Sequence, residues 1–318
     1  MTRSNAVIGV DIGGTKVAVG MVDRNGRILS QMRHPMVANS SPDAALKAVI
    51  SAIDAIRAAE RLDTISEIGL AAPGPLDPKT GVVINPPNLP CWRNFPLAAK
   101  VAETYGATVK LDNDANAAAL AETLWGAARG YRYVFYATIG TGIGTGIVFD
   151  NRIYHGHTGA AGEGGHVSID YNGPVCGCGK KGCIEILAAG PAISARARAK
   201  FAVPDRKSAL LELAQGKVNT ITSEMVGIAF QSGDAVAREI LHETSHLLAI
   251  WLGNIIDVLD PDVIVMGGGV AAMLKPFYAE IKQTIPKWSV NPTSSKIPLL
   301  MAHYGPDAGV AGAAALCY

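Results

Sequence analysis

The chain has 318 residues and carries 28 Lys and Arg against 27 Asp and Glu, which gives a formal net charge of +1. This balance provides no broad basic surface for nucleic acid or for an anionic membrane, and so it excludes proteins that depend on one. A chain of this length exceeds what one hydrophobic core usually serves, so two domains are expected. The apolar run at residues 6–10 is soon broken by Asp11 and a glycine pair, and no run approaches the roughly 20 residues that cross a bilayer. We therefore expect a cytoplasmic protein.

The chain opens with a glycine-rich hairpin pattern that occurs twice. Residues 7–23 read VIGVDIGGTKVAVGMVD, an apolar run, a polar turn and a second β-rich run. Residues 134–150 read VFYATIGTGIGTGIVFD and repeat this pattern at a shift of 127 positions without a gap. Because few residues are identical, a chance match between two glycine-rich hairpins is the alternative. We interpret the repeat as two related α/β domains, each opening with a hairpin.

Helical and strand patterns alternate through the rest of the chain. The first helical pattern follows a Ser-Pro-Asp start signal at residues 41–43. The helix that follows Asn113 and Asp114 is rich in alanine, and these two residues are suited to cap it. Helices are predicted at residues 41–62, 115–126 and 234–259 and after 306–307, and strands at 68–72 and 263–266.

The turns of both hairpins have the composition of phosphate-binding loops. Glycines let backbone amides approach phosphate oxygens, and a threonine hydroxyl and a lysine ammonium group add donors. Asp11 would repel phosphate by itself but suits a position beside Mg²⁺. Neither turn is a Walker A motif or a dinucleotide fingerprint, and each alone could be an ordinary hairpin turn. Together with the glycines after the strand at 263–266, they predict a nucleotide site formed by Asp11, Gly13, Gly14, Thr15, Lys16, Thr138, Gly140, Thr141, Gly142, Gly267, Gly268 and Gly269.

The segment LDNDAN at 111–116 lies where a predicted strand meets a predicted helix. A carboxylate at such a junction has a fixed backbone, which suits a group that accepts the proton of an alcohol during phosphoryl transfer. The alternative is that the Asp and Asn residues here only cap the helix.

Three of the five cysteines lie close together, at Cys176, Cys178 and Cys183. In a long chain expected in the cytoplasm, such clustering favours a metal over a disulfide. Three thiols at these spacings can surround one soft cation, and His166, ten residues before Cys176, can complete a tetrahedral zinc site. A disulfide with one free thiol, or a reactive cysteine, is the alternative.

These motifs resemble those of the actin-like ATPase superfamily, and within it those of the ROK sugar kinases. The resemblance is carried by DIGGTK at 11–16, TIGTGIG at 138–144 and CGCGKKGCIE at 176–185, and it spans nearly the whole chain. It implies two actin-like (ribonuclease H-like) α/β domains with a deep interdomain cleft, which close over Mg-ATP and sugar. The smaller domain is expected at 1–115 plus a C-terminal helix at 306–318, with the first phosphate loop and the catalytic Asp. The larger is expected at 116–305, with the second phosphate loop, the zinc site, the adenosine site and the dimerisation surface.

The resemblance also implies roles for single residues. It makes Asp114 the catalytic base and leaves Asp112 structural, while His155 and His157 are interpreted as loop histidines. The motifs GEGGH at 162–166 and PNLPCW at 87–92 are similar to sugar-binding motifs of the family, although Cys91 stands where the family usually has glycine. The sugar ligands implied are Gly74, Asn88, Asn113, Asp114, Glu163, His166 and Glu185, and the zinc ligands are His166, Cys176, Cys178 and Cys183.

The activity implied is that of an ATP-dependent hexokinase acting on the 6-hydroxyl of a hexose, glucose first, with Mg²⁺ and a structural Zn²⁺. N-acetylmannosamine or N-acetylglucosamine kinase is the alternative, and a donor other than ATP stays open because polyphosphate-using relatives exist. A homodimer or a tetramer is implied. A sugar-responsive regulator would need a DNA-binding domain, for which the roughly six residues before the first predicted strand leave no room. An actin-like ATPase that drives a partner would not need the sugar and zinc motifs.

Overall fold

The computed structural model describes residues 6–202 and 207–318. The predicted domain ranges also include residues 1–5 and 203–206, which lie outside the described residues. The strands are β1 (Val7–Ile12), β2 (Lys16–Val22), β3 (Ile28–Pro35), β4 (Glu67–Ala72), β5 (Leu76–Asp77), β6 (Val82–Val83), β7 (Thr108–Asn113), β8 (Tyr133–Ile139), β9 (Ile143–Phe149), β10 (Arg152–Ile153), β11 (Val263–Gly267) and β12 (Leu299–Met301). The helices are α1 (Pro42–Ala59), α2 (Leu97–Tyr105), α3 (Asp114–Leu124), α4 (Ile184–Ala188), α5 (Gly190–Lys200), α6 (Ala209–Leu213), α7 (Ser223–Gln231), α8 (Ala235–Leu259), α9 (Gly269–Met273), α10 (Tyr278–Thr284) and α11 (Ala308–Ala315).

The first sheet is built on the N-terminal hairpin. β1 and β2 pair antiparallel from Val7 opposite Val22 to Ile12 opposite Val17, which leaves residues 13–15 as the turn. β3 pairs with β2, while β4 and then β7 add in parallel on the other side, so the order is β3-β2-β1-β4-β7. Nearly all of β1 is buried, which explains its almost continuous apolar sequence.

The second sheet has the same plan. Its order is β10-β9-β8-β11-β12, with β10 antiparallel to β9 and β12 parallel to β11. In each sheet a hairpin carries a third strand on one side and two later strands on the other. This shared topology is what the interpretation of two related α/β domains predicts.

The helices begin and end where local chemistry allows. The Ser41 hydroxyl accepts from the Ala44 amide at 3.2 Å, and α1 then buries residues at helical spacing up to Ile56. This helix ends at Ala59, before the predicted residue 62. Asp234 caps α8 in the same way, through a hydrogen bond of 2.8 Å from the Ala237 amide. Within residues 6–202 and 207–318, none of the helices combines the length and apolar character that a membrane span requires.

The C-terminal helix α11 makes backbone contact with its neighbours. It packs on β1, β4 and α3. A Cβ at Gly9 in β1 would overlap the carbonyl oxygen of Val310, and one at Gly69 in β4 would overlap that of Ala313. On the opposite side, a Cβ at Gly312 would lie 2.6 Å from the carbonyl carbon of Ala117 in α3. Only glycine permits such approach, so α3 and α11 pack as one body with the first sheet.

The described residues form two compact units. The first contains the residues up to Tyr136, Gly146–Gly162 and Ala302–Tyr318, and the second contains Ala137–Thr145 and Glu163–Met301. The C-terminal helix α11 lies in the first unit. The predicted boundary between residues 115 and 116 instead falls inside α3, which stays with the first unit because it packs on α11.

Candidate active site

The junction between β7 and α3 presents an exposed carboxylate. Asp114 is the first residue of α3 and is exposed, and its Oδ1 accepts from the Ala115 amide at 2.8 Å. Asn113 is the N-cap of the helix, because its Oδ1 accepts from the amides of Ala115 and Asn116 at 2.9 and 3.3 Å. The side-chain oxygen of Asn113 thus caps the helix, as the alternative from the sequence stated. Its Nδ2 points towards Gly74, where an added Cβ would lie 3.5 Å away.

Asp112, directly before this junction, is buried and fully engaged. Its Oδ1 accepts from the Asn113 amide at 2.7 Å and from Asn116 Nδ2 at 3.1 Å. Its Oδ2 lies 2.6 Å from Nε2 of His155. The structural role expected for Asp112 therefore includes a hydrogen bond to His155, for which the sequence predicts only a position in a loop.

Near its end, just before the first glycine turn, β1 places a second carboxylate, that of Asp11, near the start of α3. Burial raises the pKa of Asp11 to about 6, the charge of Asp114 adds to the rise, and the charges of Lys16 and Arg33 oppose it. A Cβ at Gly309, in the first turn of α11, would overlap the Asp11 carboxylate. Asp11 is thus enclosed by backbone and by a like charge, an environment that favours a cation beside it.

The loop that carries Asn88 lies against the same turn. A Cβ at Gly14 would lie 2.7 Å from the Asn88 carbonyl oxygen, so the two backbones are in contact. Asn88 is exposed, while Trp92 is buried and stacks on Phe95 with ring centroids 5.3 Å apart. Cys91 donates its amide to the Ala38 carbonyl at 3.1 Å and lies outside the left-handed region of the backbone. Its side chain therefore replaces the family's usual glycine without backbone strain.

The second glycine loop joins β8 to β9 in the second unit. The Gly140 amide donates to the Gly142 carbonyl at 2.9 Å, and the Gly190 amide, at the start of α5, donates to the Gly140 carbonyl at 2.8 Å. Gly268 has a φ of 88°, and a Cβ there would overlap the carbonyl oxygen of Ile139, so the glycine run after β11 abuts the end of β8. The fold thus brings the two predicted glycine segments of this unit together, and it adds Gly190, which was not predicted.

A cavity of about 530 Å³ opens beside this loop. It combines predicted nucleotide residues with residues that sequence reasoning missed. The missed residues come from α5 (from its first turn to its last), from the first turn of α7 and from α9. In sequence, α5 is marked only by a Gly-Pro start and α7 by a Ser-Glu start. Its lining consists of Gly140, Thr141, Gly190, Pro191, Ser194, Arg198, Ser223, Glu224, Gly269, Val270 and Met273.

The segment from Glu163 to His166 is fixed against β9. The Gly164 amide donates to Thr145 Oγ1 at 2.8 Å, and the Gly164 carbonyl accepts from Trp251 Nε1 at 3.0 Å. Glu163 is exposed, and its carbonyl accepts from the His166 amide at 3.0 Å. Both predicted sugar ligands of this motif therefore project from a rigid turn.

His166 and the three clustered cysteines converge. One donor atom from each lies within 4.8 Å of the others. His166 Nδ1 is 3.7 Å from Cys176 Sγ, and Cys178 Sγ is 3.7 Å from Cys183 Sγ. A disulfide bond measures about 2.05 Å, and all five cysteines are free, so the disulfide alternative is not what the fold forms.

This geometry fits a tetrahedral zinc ion. Ligand bonds of about 2.0–2.3 Å place neighbouring donors about 3.5–3.8 Å apart, which matches both separations. Burial raises the pKa of Cys183 to about 12, and the adjacent Cys178 and Cys176 add to the rise. The Lys180 amide lowers the pKa of Cys178. Crowded thiols of this kind carry negative charge only beside a cation.

Glu185 links the cysteine cluster to the second glycine loop. Its Oε2 accepts from the Ile143 amide at 2.8 Å, and its Oε1 is 3.9 Å from both His166 Nδ1 and Cys176 Sγ. The fold therefore brings Glu185, His166 and the cysteines together in the second unit. The first unit separately gathers Asp11, Gly14, Gly74, Asn88, Asn113 and Asp114.

The two sheets of like strand order, each opened by a glycine-rich hairpin, have the actin-like ATPase fold. The ROK family model matches residues 7–318, and the chain belongs to the ROK family. The glucokinase of Streptomyces coelicolor is 35% identical over 311 residues, 97% of this chain and 96% of that protein. The N-acetylmannosamine kinase of Escherichia coli O157:H7 is 31% identical over 310 residues, 97% of each. The crystal structure of the ROK family glucokinase from Streptomyces griseus, in complex with glucose and AMPPNP, superimposes with a TM-score of 0.83 at 34% identity and covers 98% of this chain and 99% of that one.

Proposed function

We propose that this protein is an ATP-dependent hexokinase that phosphorylates the 6-hydroxyl of a hexose, glucose before other sugars. Hexokinase activity is supported by glucokinases that align over nearly the whole chain. The observation that carries the proposal is the exposed carboxylate of Asp114, held at a junction that Asn113 caps and Asp112 anchors. A rigid, exposed carboxylate suits a base that acts on a bound alcohol.

In the proposed reaction, Asp114 accepts the proton of the hydroxyl as its oxygen attacks the γ-phosphorus. The Gly14 amide, with Thr15 and Lys16, binds phosphate oxygens from the first unit, while Gly13 shapes the turn by donating its amide to the Lys16 carbonyl at 2.9 Å. Asp11 would hold Mg²⁺, directly or through water, and this fits a half-buried carboxylate beside a like charge. When bound, the ion offsets the negative charge that develops on the transferred group.

The second unit contributes the other part of the proposed nucleotide site. Its small and hydroxyl-bearing loop residues, Thr138, Gly140, Thr141 and Gly142, suit phosphate oxygens. The cavity of about 530 Å³ beside the loop is lined by both apolar and polar side chains and has the size of a small-molecule site. We assign it to adenosine, flanked by Gly267, Gly268 and Gly269.

The proposed sugar ligands are the predicted ones. Asn113 Nδ2, Asn88 and the backbone at Gly74 are available in the first unit, and Glu163, His166 and Glu185 in the second. Each buried donor or acceptor left unpaired costs about 1–3 kcal/mol, so a polyol requires this many fixed polar groups. Zn²⁺ at the cysteine cluster would hold His166 by Nδ1 and leave Nε2 as a donor towards a hydroxyl.

A second candidate is an N-acetylmannosamine kinase, supported by relatives of that activity that align over the whole length. N-acetylglucosamine is a further acceptor to test. A homodimer or a tetramer, a cytoplasmic location and a place in glycolysis remain predictions from the sequence. A sugar-responsive regulator without catalysis is the other class of function, and the exposed Asp114 argues against it.

The test is ADP release with Mg-ATP across glucose, N-acetylmannosamine, N-acetylglucosamine, mannose and fructose. We expect turnover with one of them, and a decrease of about 10²–10⁴-fold in kcat for Asp114→Asn. Asp43→Asn, in the exposed first turn of α1, is the control that keeps full activity. Folded, zinc-loaded protein that turns over no sugar would contradict the proposal. Operator binding without turnover would indicate a regulator, and fast ATP hydrolysis without sugar would indicate another actin-like ATPase.

A further inference from the structure

A second cluster of metal-binding side chains lies on the exposed surface of the second unit, away from the cysteine residues in sequence. It consists of His242 and His246 in α8 and Glu280 in α10. One donor atom from each of the three residues lies within 4.8 Å of the others. Neither the reaction proposed above nor the zinc site uses any of them.

The positions follow from helix geometry. His242 and His246 are four residues apart, so they project from one face of α8 and their ring centroids are 4.4 Å apart. Glu280 stands in the first turn of α10, which packs on α8. Two histidines at this spacing on a helix, joined by a carboxylate from elsewhere, are a recurrent arrangement of metal ligands.

The carboxylate is already placed between the rings. Glu280 Oε1 is 3.1 Å from His242 Nε2 and 3.5 Å from His246 Nδ1. His246 Nδ1 also lies 3.1 Å from the His242 carbonyl oxygen, and an ion bound at Nδ1 would replace that hydrogen bond. Ligand bonds of about 2.0–2.2 Å around one ion put neighbouring donors about 3.3–3.6 Å apart, so both separations are close to those of a filled site. The Ser245 hydroxyl lies 3.1 Å from Oε1 and 2.7 Å from the His242 carbonyl oxygen, so its single hydrogen is shared between these two acceptors. When it is directed at Oε1, it supports the carboxylate as second-sphere donors do in metal sites.

We propose that His242, His246 and Glu280 form a second metal site that takes Zn²⁺. Two imidazoles and one carboxylate suit borderline divalent ions, whereas Mg²⁺ prefers oxygen ligands alone and does not compete. Three protein ligands leave one position of a tetrahedral ion open. Water can reach that position, because the three side chains are between about a third and a half exposed. The ion is therefore exchangeable, unlike one enclosed by the cysteine cluster.

An ion bound here joins α8 to α10. It binds the folded protein and not the unfolded chain, so it raises the free energy of unfolding by RT ln(1 + [Zn²⁺]/Kd), which grows with the free zinc concentration. Without the ion, the rings of His242 and His246 both contact the same oxygen of Glu280, Oε1. The consequence is a zinc-dependent stabilisation of this helix pair, independent of the kinase reaction.

The test is calorimetric titration with ZnCl₂ of protein that already holds one zinc per chain. We expect one further binding event per chain and a rise in the unfolding temperature. His242→Gln, His246→Gln and Glu280→Gln each weaken that event at least about 10-fold, since loss of a ligand exceeds the effect of losing a second-sphere partner. His303→Gln replaces an exposed histidine in the other unit and keeps the event unchanged.

Cys178→Ser separates the two sites, because it removes an exposed ligand of the cysteine cluster and leaves the second event intact. The proposal is overturned if the zinc-loaded wild type binds no further zinc. It is also overturned if the three variants titrate like the wild type, or if His303→Gln loses the event equally. None of these results bears on sugar turnover, so failure here is distinct from failure of the proposed activity.

Discussion

His155 Nε2 lies 2.6 Å from Asp112 Oδ2, and the other oxygen of the same carboxylate holds the first turn of α3. The Asp112 side chain is only 6% exposed, whereas that of His155 is 28% exposed. His155 therefore connects the buried carboxylate of Asp112 to the surface. The hydrogen bond that His155 donates to Asp112 raises the pKa of His155, against the opposing effect of burial. The pair thus supports the segment that carries Asp114.

We predict that His155→Gln lowers the free energy of unfolding by about 1–3 kcal/mol, because it removes a charged partner from a buried carboxylate. The folded-state pKa of His155 is raised, so the pair's contribution is complete below the unfolded value near 6.5 and is lost as the pH rises through the folded value. Urea unfolding of both proteins between pH 5.5 and 9 should show a gap that narrows with rising pH. His303→Gln should show no such trend. A gap of equal size at every pH would contradict the ion pair.

Elements whose signals are local could be predicted from the sequence. The hairpins followed from apolar runs around glycine turns, and α1 and α8 followed from caps and helical spacing. Their ends differ by up to three residues, because the last turn of a helix depends on packing that the pattern does not encode. The convergence of His166 with the three cysteines was also predicted, because three closely spaced cysteines with a histidine nearby are typical of a zinc site.

Features that depend on tertiary contact could not be predicted. Apart from Val310, α11 contains only Gly and Ala, so nothing in its pattern shows that it packs on α3 and that α3 belongs to the same unit. The cavity beside Gly140 is assembled from short helices far apart in sequence. His155 and Glu280 each lie in a segment without a motif, and only the fold gives them their partners.

Asp11→Asn is predicted to stabilise the protein while it abolishes activity. A folded-state pKa of about 6, against 3.8 as the ordinary value, means that ionised Asp11 lowers stability by up to about 3 kcal/mol. The folded protein keeps this proton to a higher pH than the unfolded chain does. Stability conferred by the wild-type residue therefore falls as the pH rises from about 4 to about 6 and stays low above that.

The measurement is chemical unfolding of wild type and Asp11→Asn without nucleotide at pH 4 and pH 8. We expect the variant to be more stable at pH 8 and the two to converge at pH 4. Asp43→Asn, an exposed acid at the start of α1, should not reproduce this pattern. A variant less stable than the wild type at pH 8 would mean that the carboxylate is stabilised in ways the Asn lacks.

Gly69→Ala is predicted to destabilise the first unit severely. Its Cβ would overlap the carbonyl oxygen of Ala313, a backbone atom that cannot move without displacing α11. Overpacking of this kind costs about 1–3 kcal/mol or more. Gly177→Ala is the matched control, because nothing lies within 4 Å of its added Cβ. Equal unfolding temperatures for the two variants would contradict the close packing of β4 and α11.

Loss of metal from the cysteine cluster is predicted to weaken sugar binding before ATP binding. His166 would be a ligand and Glu185 lies 3.9 Å from its ring, so both proposed sugar ligands lose a fixed position. We expect the glucose KM of chelated, still folded protein to rise at least about 10-fold, as for loss of ordering around a metal site. The ATP KM should change less. Cys317→Ser, outside the cluster, should leave both values intact, and an unchanged sugar KM after chelation would refute the coupling.

Met273→Trp is predicted to raise the KM for ATP and to leave that for glucose unchanged. Met273 lines the cavity of about 530 Å³ that we assign to adenosine, and an indole there occupies space that the base needs. A loss of about 1.4 kcal/mol in binding free energy weakens affinity tenfold. We therefore expect the ATP KM to rise at least about tenfold. Val258→Trp, on the exposed surface of α8, adds the same side chain without filling the cavity and should leave both constants unchanged. If Met273→Trp instead raised the glucose KM, or changed neither constant, adenosine would have to be assigned to another part of the second unit.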